Sequence, residues 1–450
     1  MAIAKRKFDW VRTLSPFQVI AIFYLFAVTV ATLLLSLPIA YAPGVDIAFI
    51  DTLFIAVSAV SVTGLATVSI PETFSTVGYF MIALMLQLGG IGIMTFGTII
   101  WILLRKKIGL RERRLIMTDQ NQSDFSGIVR LVLQIVFIVL LIEFIGFLIL
   151  GTYYLQYFEP GEAYLQGFFG AVSAMTNGGF DITGASLIPF RDDYFVQFIN
   201  MMLIIAGAIG FPVLIELKQY LFESGERTRF SLFTKLTTIT FFALILLGAV
   251  MIVVLEFNHF LSGRSWHEIL FYALFQSVTS RSGGLTTMDI SQFTEQTHLF
   301  MSSLMFVGAS PSSFGGGIRT TTFALVVIYI LTFARGKQSI RIFRREVYTE
   351  DLNRAVVVTI MAVLTVFISV LVISVVEPFS LSEILFEVCS AFGTVGLSLG
   401  ITPELTSFTK LLLIGLMFIG RIGILTFLFS FNEKRKTGNY HYPKERVIIG

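Results

Sequence analysis

The chain is 450 residues long, 55% hydrophobic, with 46 phenylalanines and only 14% charged residues; a soluble domain carries about 25% charged residues. With a mean hydropathy of +0.83, this composition excludes a soluble globular protein and points to a polytopic membrane protein. The formal net charge of +3 gives no sign of a nucleic-acid partner, and a single cysteine, Cys389, excludes an internal disulfide.

The opening residues MAIAKRKFDW are basic and lack a small-residue cleavage site, so they read as a cytoplasmic lead-in to an uncleaved first span. Apolar runs of about 20 residues or more are span candidates. They cover residues 17–41, 77–104, 128–155, 195–221, 232–257, 299–333, 355–376 and 409–431, which predicts eight spans. Between the members of each successive pair lies a shorter apolar stretch, at 50–61, 163–176, 266–280 and 381–393. These are too short to cross a bilayer and predict re-entrant helices.

The short stretches end alike: SAVSVTGL at 58–65, SAMTNGGF at 173–180, VTSRSGGL at 278–285 and SAFGTVGL at 390–397. Each carries a glycine before Leu or Phe (Gly64, Gly179, Gly284, Gly396), recurring about every 110 residues. About 25 residues further on stands a second glycine marker: Gly89-Gly90-Ile91-Gly92, Gly207-Ala208-Ile209-Gly210 and Gly420-Arg421-Ile422-Gly423. The third unit has Gly308 there, followed by a different run. The expected fold is therefore an all-α membrane protein of four span, pore-helix, filter, span repeats, arranged pseudo-fourfold around one central pore. The repeats would occupy 1–115, 116–225, 226–345 and 346–450, the third with a broken second span and the fourth with a C-terminal tail. Glycines that merely let helices pack closely are the plainer alternative at any one position; four at matching offsets argue against it.

Lys5, Arg6, Lys7 and Arg12 precede the first span, and basic clusters follow the even-numbered spans: Arg105–Arg114, Lys218–Lys235, Arg335–Arg345 and Lys434–Lys436. All fall on one side, which places that side and both termini in the cytoplasm. The opposite loops carry Asp46, Glu72, Glu159, Glu162, Asp181, Asp192, Asp193, Asp289 and Glu404; an acidic mouth concentrates cations, although ordinary solvated loops look the same. The sequon Asn121-Gln122-Ser123 lies on the cytoplasmic side, where glycosylation has no meaning.

Non-helical backbone at membrane depth must be buried in protein or line a wet cavity. Four glycine strands meet that condition around one axis, where backbone carbonyls replace the hydration shell of a bare cation. The expected ion-binding residues are Val62, Thr63, Gly64, Asn177, Gly178, Gly179, Ser282, Gly283, Gly284, Thr394, Val395 and Gly396. The C-terminal dipole of each re-entrant helix adds partial negative charge at the same place. These arguments select a cation over an anion and leave Na⁺ against K⁺ open.

The run 299–333 would span about 50 Å as one helix, against a hydrocarbon core of about 30 Å. It is interrupted by GASPSSFGGGIRT: Gly308, Ser310, Pro311, Ser312, Ser313, Gly315, Gly316 and Gly317 are poor helix material. A movable gate and a static kink both fit this stretch. Arg421 lies in an otherwise apolar span, where it either holds that loop through its carbonyls or raises a positive barrier. Glu143 reads as an interhelical hydrogen-bonding group, with ion coupling as the alternative; Asn177 either touches the pore or braces it, and Arg281 receives no role. His259, His267, His298 and His441 are scattered, with neither metal-ligand spacing nor a nucleophile–base arrangement, so an enzyme is not expected.

The four-unit pattern and the stretches SVTGL, SAFGTVGLSLGITPEL and FIGRIGILTF resemble the Trk/Ktr/HKT superfamily over essentially the whole chain. The resemblance is strongest to the membrane subunits of bacterial Ktr potassium uptake systems. It implies a bacterial plasma-membrane protein that takes up K⁺, with Na⁺ open as an activator and no cofactor in this chain. It also implies a homodimer with one pore per subunit, surrounded by membrane lipid and seated on a cytosolic ring of nucleotide-binding regulatory subunits. It favours the gate at 308–317 over the kink. A glycine rather than a serine at position 64 goes with K⁺ preference. Only the fourth strand holds Thr-Val-Gly, as in tetrameric potassium channels, and none continues into Tyr-Gly, so a shorter, less selective filter is expected. A Na⁺/K⁺-coupled secondary transporter is the alternative, although such transporters usually pair inverted repeats, whereas these four run in one sense.

Overall fold

The computed structural model describes residues 14–92, 95, 97–98, 102, 108–119, 127–222, 230–337, 339–430 and 445. Lys5, Arg6, Lys7, Arg12, Arg105, Lys106, Lys107, Asn121, Gln122, Ser123, Arg227, Arg229, Lys434, Arg435, Lys436 and His441 lie outside the described residues.

Helix α1 (Pro16–Leu35) begins at a capping box, in which Ser15 Oγ accepts from Gln18 N and Gln18 Oε1 accepts from Ser15 N. Helices α2 (Phe49–Ser61) and α3 (Thr76–Ile91) follow. After α4 (Leu110–Asp119) the same order returns as α5 (Ile128–Tyr154), α6 (Pro160–Thr176), α7 (Tyr194–Ala208) and α8 (Phe211–Phe222). It returns again as α9 (Leu232–Glu256), α10 (Trp266–Thr279), α11 (Glu295–Val307) and α12 (Thr320–Ala334). A two-residue hairpin, β1 (Arg341–Ile342) with β2 (Arg345–Glu346), leads into α13 (Thr349–Val376), α14 (Leu381–Gly393), α15 (Ser407–Ile422) and α16 (Ile424–Ser430).

Among the described residues, α1, α5, α9 and α13 are long and apolar enough to cross a membrane. Only 28–39% of the most apolar window of each is buried inside the protein. Phe26, Phe144, Leu246 and Phe367 project outward from them, apolar surface of the kind a bilayer covers.

The other four expected spans are not single helices. Helix α3 ends before Gly92 at φ 99°, α7 and α8 meet at Gly210 (φ 103°) with a 106° bend, α11 ends at Gly308 (φ 67°), and Gly423 (φ 90°) separates α15 from α16. The continuous spans expected at 77–104, 195–221 and 409–431 are therefore corrected. The apolar runs are real, but each contains one glycine in a conformation that L side chains rarely adopt. What was expected of the third unit alone holds for all four.

Packing closes the molecule into a cycle. Helix α3 lies against α6, α7 against α10, α11 against α14, and α15 returns to α2. Each second helix thus supports the short helix of the following unit, and the last supports the first. Two carboxylates repeat one fastening. Glu256, ending α9, accepts from Thr294 N and Oγ1 (both 2.8 Å) and from Thr297 Oγ1 (2.5 Å). Glu377, just past α13, accepts from Thr406 N (2.9 Å), Thr406 Oγ1 (2.7 Å) and Thr409 Oγ1 (2.5 Å). The start of α11 and of α15 is thereby tied to the end of the long helix before it.

Candidate functional site

The short helices α2, α6, α10 and α14 run inward from exposed starts, where Phe49, Trp266 and Leu381 are largely solvent- or lipid-facing, to fully buried ends. Three of them stop on a left-handed residue at the same register position: Val62 (φ 58°), Asn177 (φ 58°) and Thr394 (φ 48°). In the third unit that position is Ser282, at φ 140°. Two residues later stand Gly64, Gly179, Gly284 and Gly396, with φ of 91°, 66°, 71° and 94°. A turn to positive φ at these glycines redirects the chain away from the helix axis, which a Cβ would resist.

The four segments touch in a closed ring. A methyl group on Gly64 would lie 2.9 Å from Gly179 Cα, one on Gly179 2.9 Å from Gly284 Cα, one on Gly284 2.5 Å from Val395 O, and one on Gly396 3.0 Å from Gly64 Cα. The carbonyls preceding the glycines, those of Thr63, Gly178, Gly283 and Val395, are each among the atoms the neighbouring glycine approaches most closely. All twelve expected ion-binding residues fall in this ring; ten are buried, while Gly179 and Gly396 are partly exposed. Serine or threonine side chains brace the segments from behind: Ser58 Oγ accepts from Gly64 N, Ser390 Oγ accepts from Gly396 N (both 3.1 Å), Ser173 Oγ donates to Phe180 O, and Thr279 Oγ1 donates to Leu285 O (both 2.6 Å).

Asn177 is one of these braces. With its amide oriented to satisfy both ends, it donates to Ala174 O (3.0 Å) and Ile204 O (3.1 Å) and accepts from Ala208 N (3.2 Å). Its backbone belongs to the ring and its side chain to the scaffold.

Four aligned helix C-termini face the ring, and their dipoles favour a cation there. Backbone carbonyl oxygens suit a monovalent ion that exchanges its hydration shell for backbone dipoles.

On the side of the ring away from the exposed helix starts lies the segment from Gly308 to Arg319. Its backbone is held by the second unit: Ser310 N donates to Ala208 O (3.0 Å), Phe314 N to Gly207 O (3.1 Å), and Phe211 N to Ser312 O (2.6 Å). The tip reaches the ring itself, since a methyl group on Gly316 would lie 2.6 Å from Thr394 Oγ1, and one on Gly315 2.8 Å from Ser282 Cβ. Pro311 O lies against Gly210, and the Phe314 ring against Gly90. Ser313 Oγ donates to Ser310 O (2.6 Å), and the segment closes on itself where Ala309 N donates to Gly316 O (3.2 Å). All the expected gate residues, Gly308, Ser310, Pro311, Ser312, Ser313, Gly315, Gly316, Gly317 and Arg421, are gathered here. Arg421 donates to Phe314 O of the segment and to Gly89 O and Gly90 O of the first unit, the last at 2.6 Å. A cavity of about 70 Å³ between Ser312, Ser313, Arg319, Arg421, Gly89 and Gly90 lies beneath it.

Two arginines that sequence reasoning left without a role belong to this assembly. Arg281, fully buried, donates to Leu304 O (3.3 Å) and to Gly308 O. Arg319 donates to Ser310 O (3.2 Å) and Gly315 O. A charged side chain inside an apolar stretch was the available signal. Glu143 forms the expected interhelical bond, accepting from Gln87 Nε2.

Helical throughout its described core, with outward apolar surfaces and four short helices converging on a ring of glycine segments, the chain is a multi-pass membrane protein. Comparison with known proteins narrows the class. Residues 11–441 match the TrkH family, described as a cation transport protein, and the chain belongs to that family, whose members are transporters and not enzymes. It is 60% identical over 441 residues to Ktr system potassium uptake protein D of Bacillus subtilis, covering 98% of each chain. It is 36% identical over 455 residues to Ktr system potassium uptake protein B of the same organism, covering both chains in full. It is also 32% identical over 457 residues to the potassium/sodium uptake protein NtpJ of Enterococcus hirae, again covering both chains in full. The crystal structure of the potassium transporter TrkH from Vibrio parahaemolyticus has the same fold, with a TM-score of 0.74 at 18% identity over 92% of this chain and 84% of that one.

Proposed function

We propose that this chain is the ion-conducting membrane subunit of a potassium uptake system, passing K⁺ through the ring formed around Gly64, Gly179, Gly284 and Gly396. The observation that carries this reading is the closed contact of the four glycine segments, each bringing a carbonyl oxygen to its neighbour. Backbone carbonyls in that arrangement replace water around a dehydrated monovalent cation. The names of the Bacillus relatives, at 60% and 36% identity over nearly the whole chain, support K⁺ as that cation.

The ion-binding residues are the twelve expected from the sequence, the conducting repeats are 1–115, 116–225, 226–345 and 346–450, and the segment 308–317 with Arg421 is the gate. Contacts from this segment to all four units support a plug rather than a local kink. The protein sits in the bacterial plasma membrane with both termini cytoplasmic, as a lipid-surrounded homodimer on a ring of nucleotide-binding regulatory subunits; Ktr relatives named as parts of a system support a multi-subunit assembly. Na⁺ acts as an activator. A Na⁺/K⁺-coupled transporter is the second reading, favoured by the potassium/sodium name of the Enterococcus relative.

Expression in a K⁺-uptake-deficient bacterium, with K⁺ uptake followed with and without Na⁺, tests both. Restored K⁺ uptake, faster with Na⁺ but without Na⁺ entering in proportion, is expected. Stoichiometric Na⁺ entry would establish the coupled reading, and no K⁺ uptake with the protein present in the membrane would overturn the first.

A further inference from the structure

Behind the fourth glycine segment lies a carboxyl group with no counterpart in the other three units. Glu387 sits in α14, nine positions before Gly396; Ile55, Gly170 and Phe275 occupy the equivalent places in the other short helices. Its side chain is almost fully buried, a costly place for a carboxyl unless donors surround it. They do, and all come from the chain just past Gly396. Glu387 Oε1 accepts from Ser398 Oγ and from Leu399 N (3.3 Å), while Oε2 accepts from Thr402 Oγ1 (3.0 Å). The Ser398 hydroxyl also accepts from Gly400 N at 2.9 Å, extending the strap through the turn.

The second unit solves the same problem differently. Asp181, two residues after Gly179, accepts from Thr183 N (3.1 Å), Thr183 Oγ1 (2.7 Å), Gly184 N (2.7 Å) and Ser186 N (3.0 Å), all within its own loop. That arrangement stiffens a turn but does not tie it to a helix. Glu387 fixes the fourth segment to its own short helix from the far side, and Ser390 Oγ holds Gly396 N from the near side. The backbone of Thr394, Val395 and Gly396 is thus anchored at both ends. This is also the segment whose Val395 O abuts Gly284 and whose Gly396 abuts Gly64.

We propose that Glu387 is a positioning residue for cation discrimination: by strapping residues 398–402 to α14 it holds the fourth carbonyl row at the spacing that suits K⁺ better than Na⁺. The inference rests on the reading of the four glycine segments as the ion filter. A smaller ion is served by a ring that can contract, so loosening one of four sides lowers the preference for the larger ion more than it lowers conduction.

The test measures K⁺ and Na⁺ uptake, each as an apparent affinity and a maximal rate, in proteoliposomes holding the full-length chain. The variants are Glu387→Leu, Glu387→Gln and Thr402→Val, with Gly64→Ser as control and membrane protein quantified for each. Leu removes every acceptor, and loss of hydrogen bonds to a carboxyl is expected to cut the K⁺/Na⁺ affinity ratio about tenfold. Gln retains one acceptor oxygen and should fall between Leu and the parent; Thr402→Val should move the ratio in the same direction. If Glu387→Leu does not accumulate, the Gln and Val variants decide the matter. Ratios within about twofold of the parent in every variant that accumulates, while Gly64→Ser shifts the ratio, would overturn the role of Glu387 and leave the filter standing. An unchanged ratio in Gly64→Ser would overturn the filter reading itself.

Discussion

Two arginines in apolar surroundings, Arg281 and Arg421, share one task. Breaking a helix at membrane depth orphans its last carbonyls, and no water is there to receive them. Arg281 donates to Leu304 O and Gly308 O, at the end of α11, and Arg421 to Gly89 O and Gly90 O, at the end of α3. Each guanidinium, with five donors in a rigid fork, satisfies several carbonyls at once and meets the negative end of a helix dipole. Arg421 differs in also holding Phe314 O, so it joins the interrupting segment to the first unit. Replacement by Gln keeps a donor but removes the charge and shortens the reach. Arg421→Gln is therefore expected to raise K⁺ flux in the resting state about tenfold, the equivalent of losing roughly 1.4 kcal/mol of closed-state preference. Flux and membrane abundance measured side by side check this; reduced abundance with unchanged flux per molecule would make Arg421 a structural group only.

At the scale of elements, what could be read from the sequence depended on whether composition or a single dihedral carried the information. Long helices α1, α5, α9 and α13 were legible because each is an unbroken apolar run of bilayer length. The ring was legible because Gly64, Gly179, Gly284 and Gly396 recur about every 110 residues at matching places in the repeat, a regularity that chance packing glycines do not produce. The breaks at Gly92, Gly210 and Gly423 were not. Hydropathy sums side chains and is blind to φ, so a glycine marker inside an apolar run looks like continuous helix. At 308–319 proline and three successive glycines announced the interruption, yet the partners of Arg281, Leu304 O and Gly308 O, lie on backbone more than twenty residues away that only the folded chain brings near. The segment itself yields the prediction for this scale. Its contacts with the ring and with Gly207, Ala208, Gly90 and Arg421 hold it against the glycine segments, where the proposed path runs. Deletion of residues 310–316 is expected to raise maximal K⁺ flux about tenfold or more if the closed arrangement dominates at rest. Flux in liposomes at equal protein content reads this out, and a folded deletion that conducts no faster would return the segment to a static kink.

The whole molecule is a cycle written on a linear chain, and that sets one seam apart. Units one to two, two to three and three to four are joined by peptide bonds as well as by packing, whereas four to one is joined by packing alone. At that seam α15 lies on α2, and there Lys410 Nζ donates to Asp51 Oδ1 at 2.8 Å, with side chains only 10% and 16% exposed. Both residues stand in the first turns of their helices, so the pair fixes the register of one helix start against the other. Asp51 also suits the N-terminal end of α2, where its charge meets the helix dipole favourably. Lys410 has no such compensation at the start of α15 and depends on its partner. Removing one member of a buried pair leaves the other desolvated, at a cost of about 3–5 kcal/mol, while replacing both with apolar groups is often close to neutral. Lys410→Met is therefore expected to lower Tm clearly, Asp51→Leu to lower it at least as much by stranding the lysine charge, and the double variant to recover most of the loss. Thermal unfolding of the detergent-solubilised protein, arranged as a double-mutant cycle, measures the coupling directly. The seam also borders Gly64 and Gly396, so a loosened seam should reach the ring: the single variants should lose K⁺ over Na⁺ preference in parallel with Tm, and the double variant should regain both. A cycle with additive losses would mean that packing of α15 on α2 closes the ring without help from the charge pair.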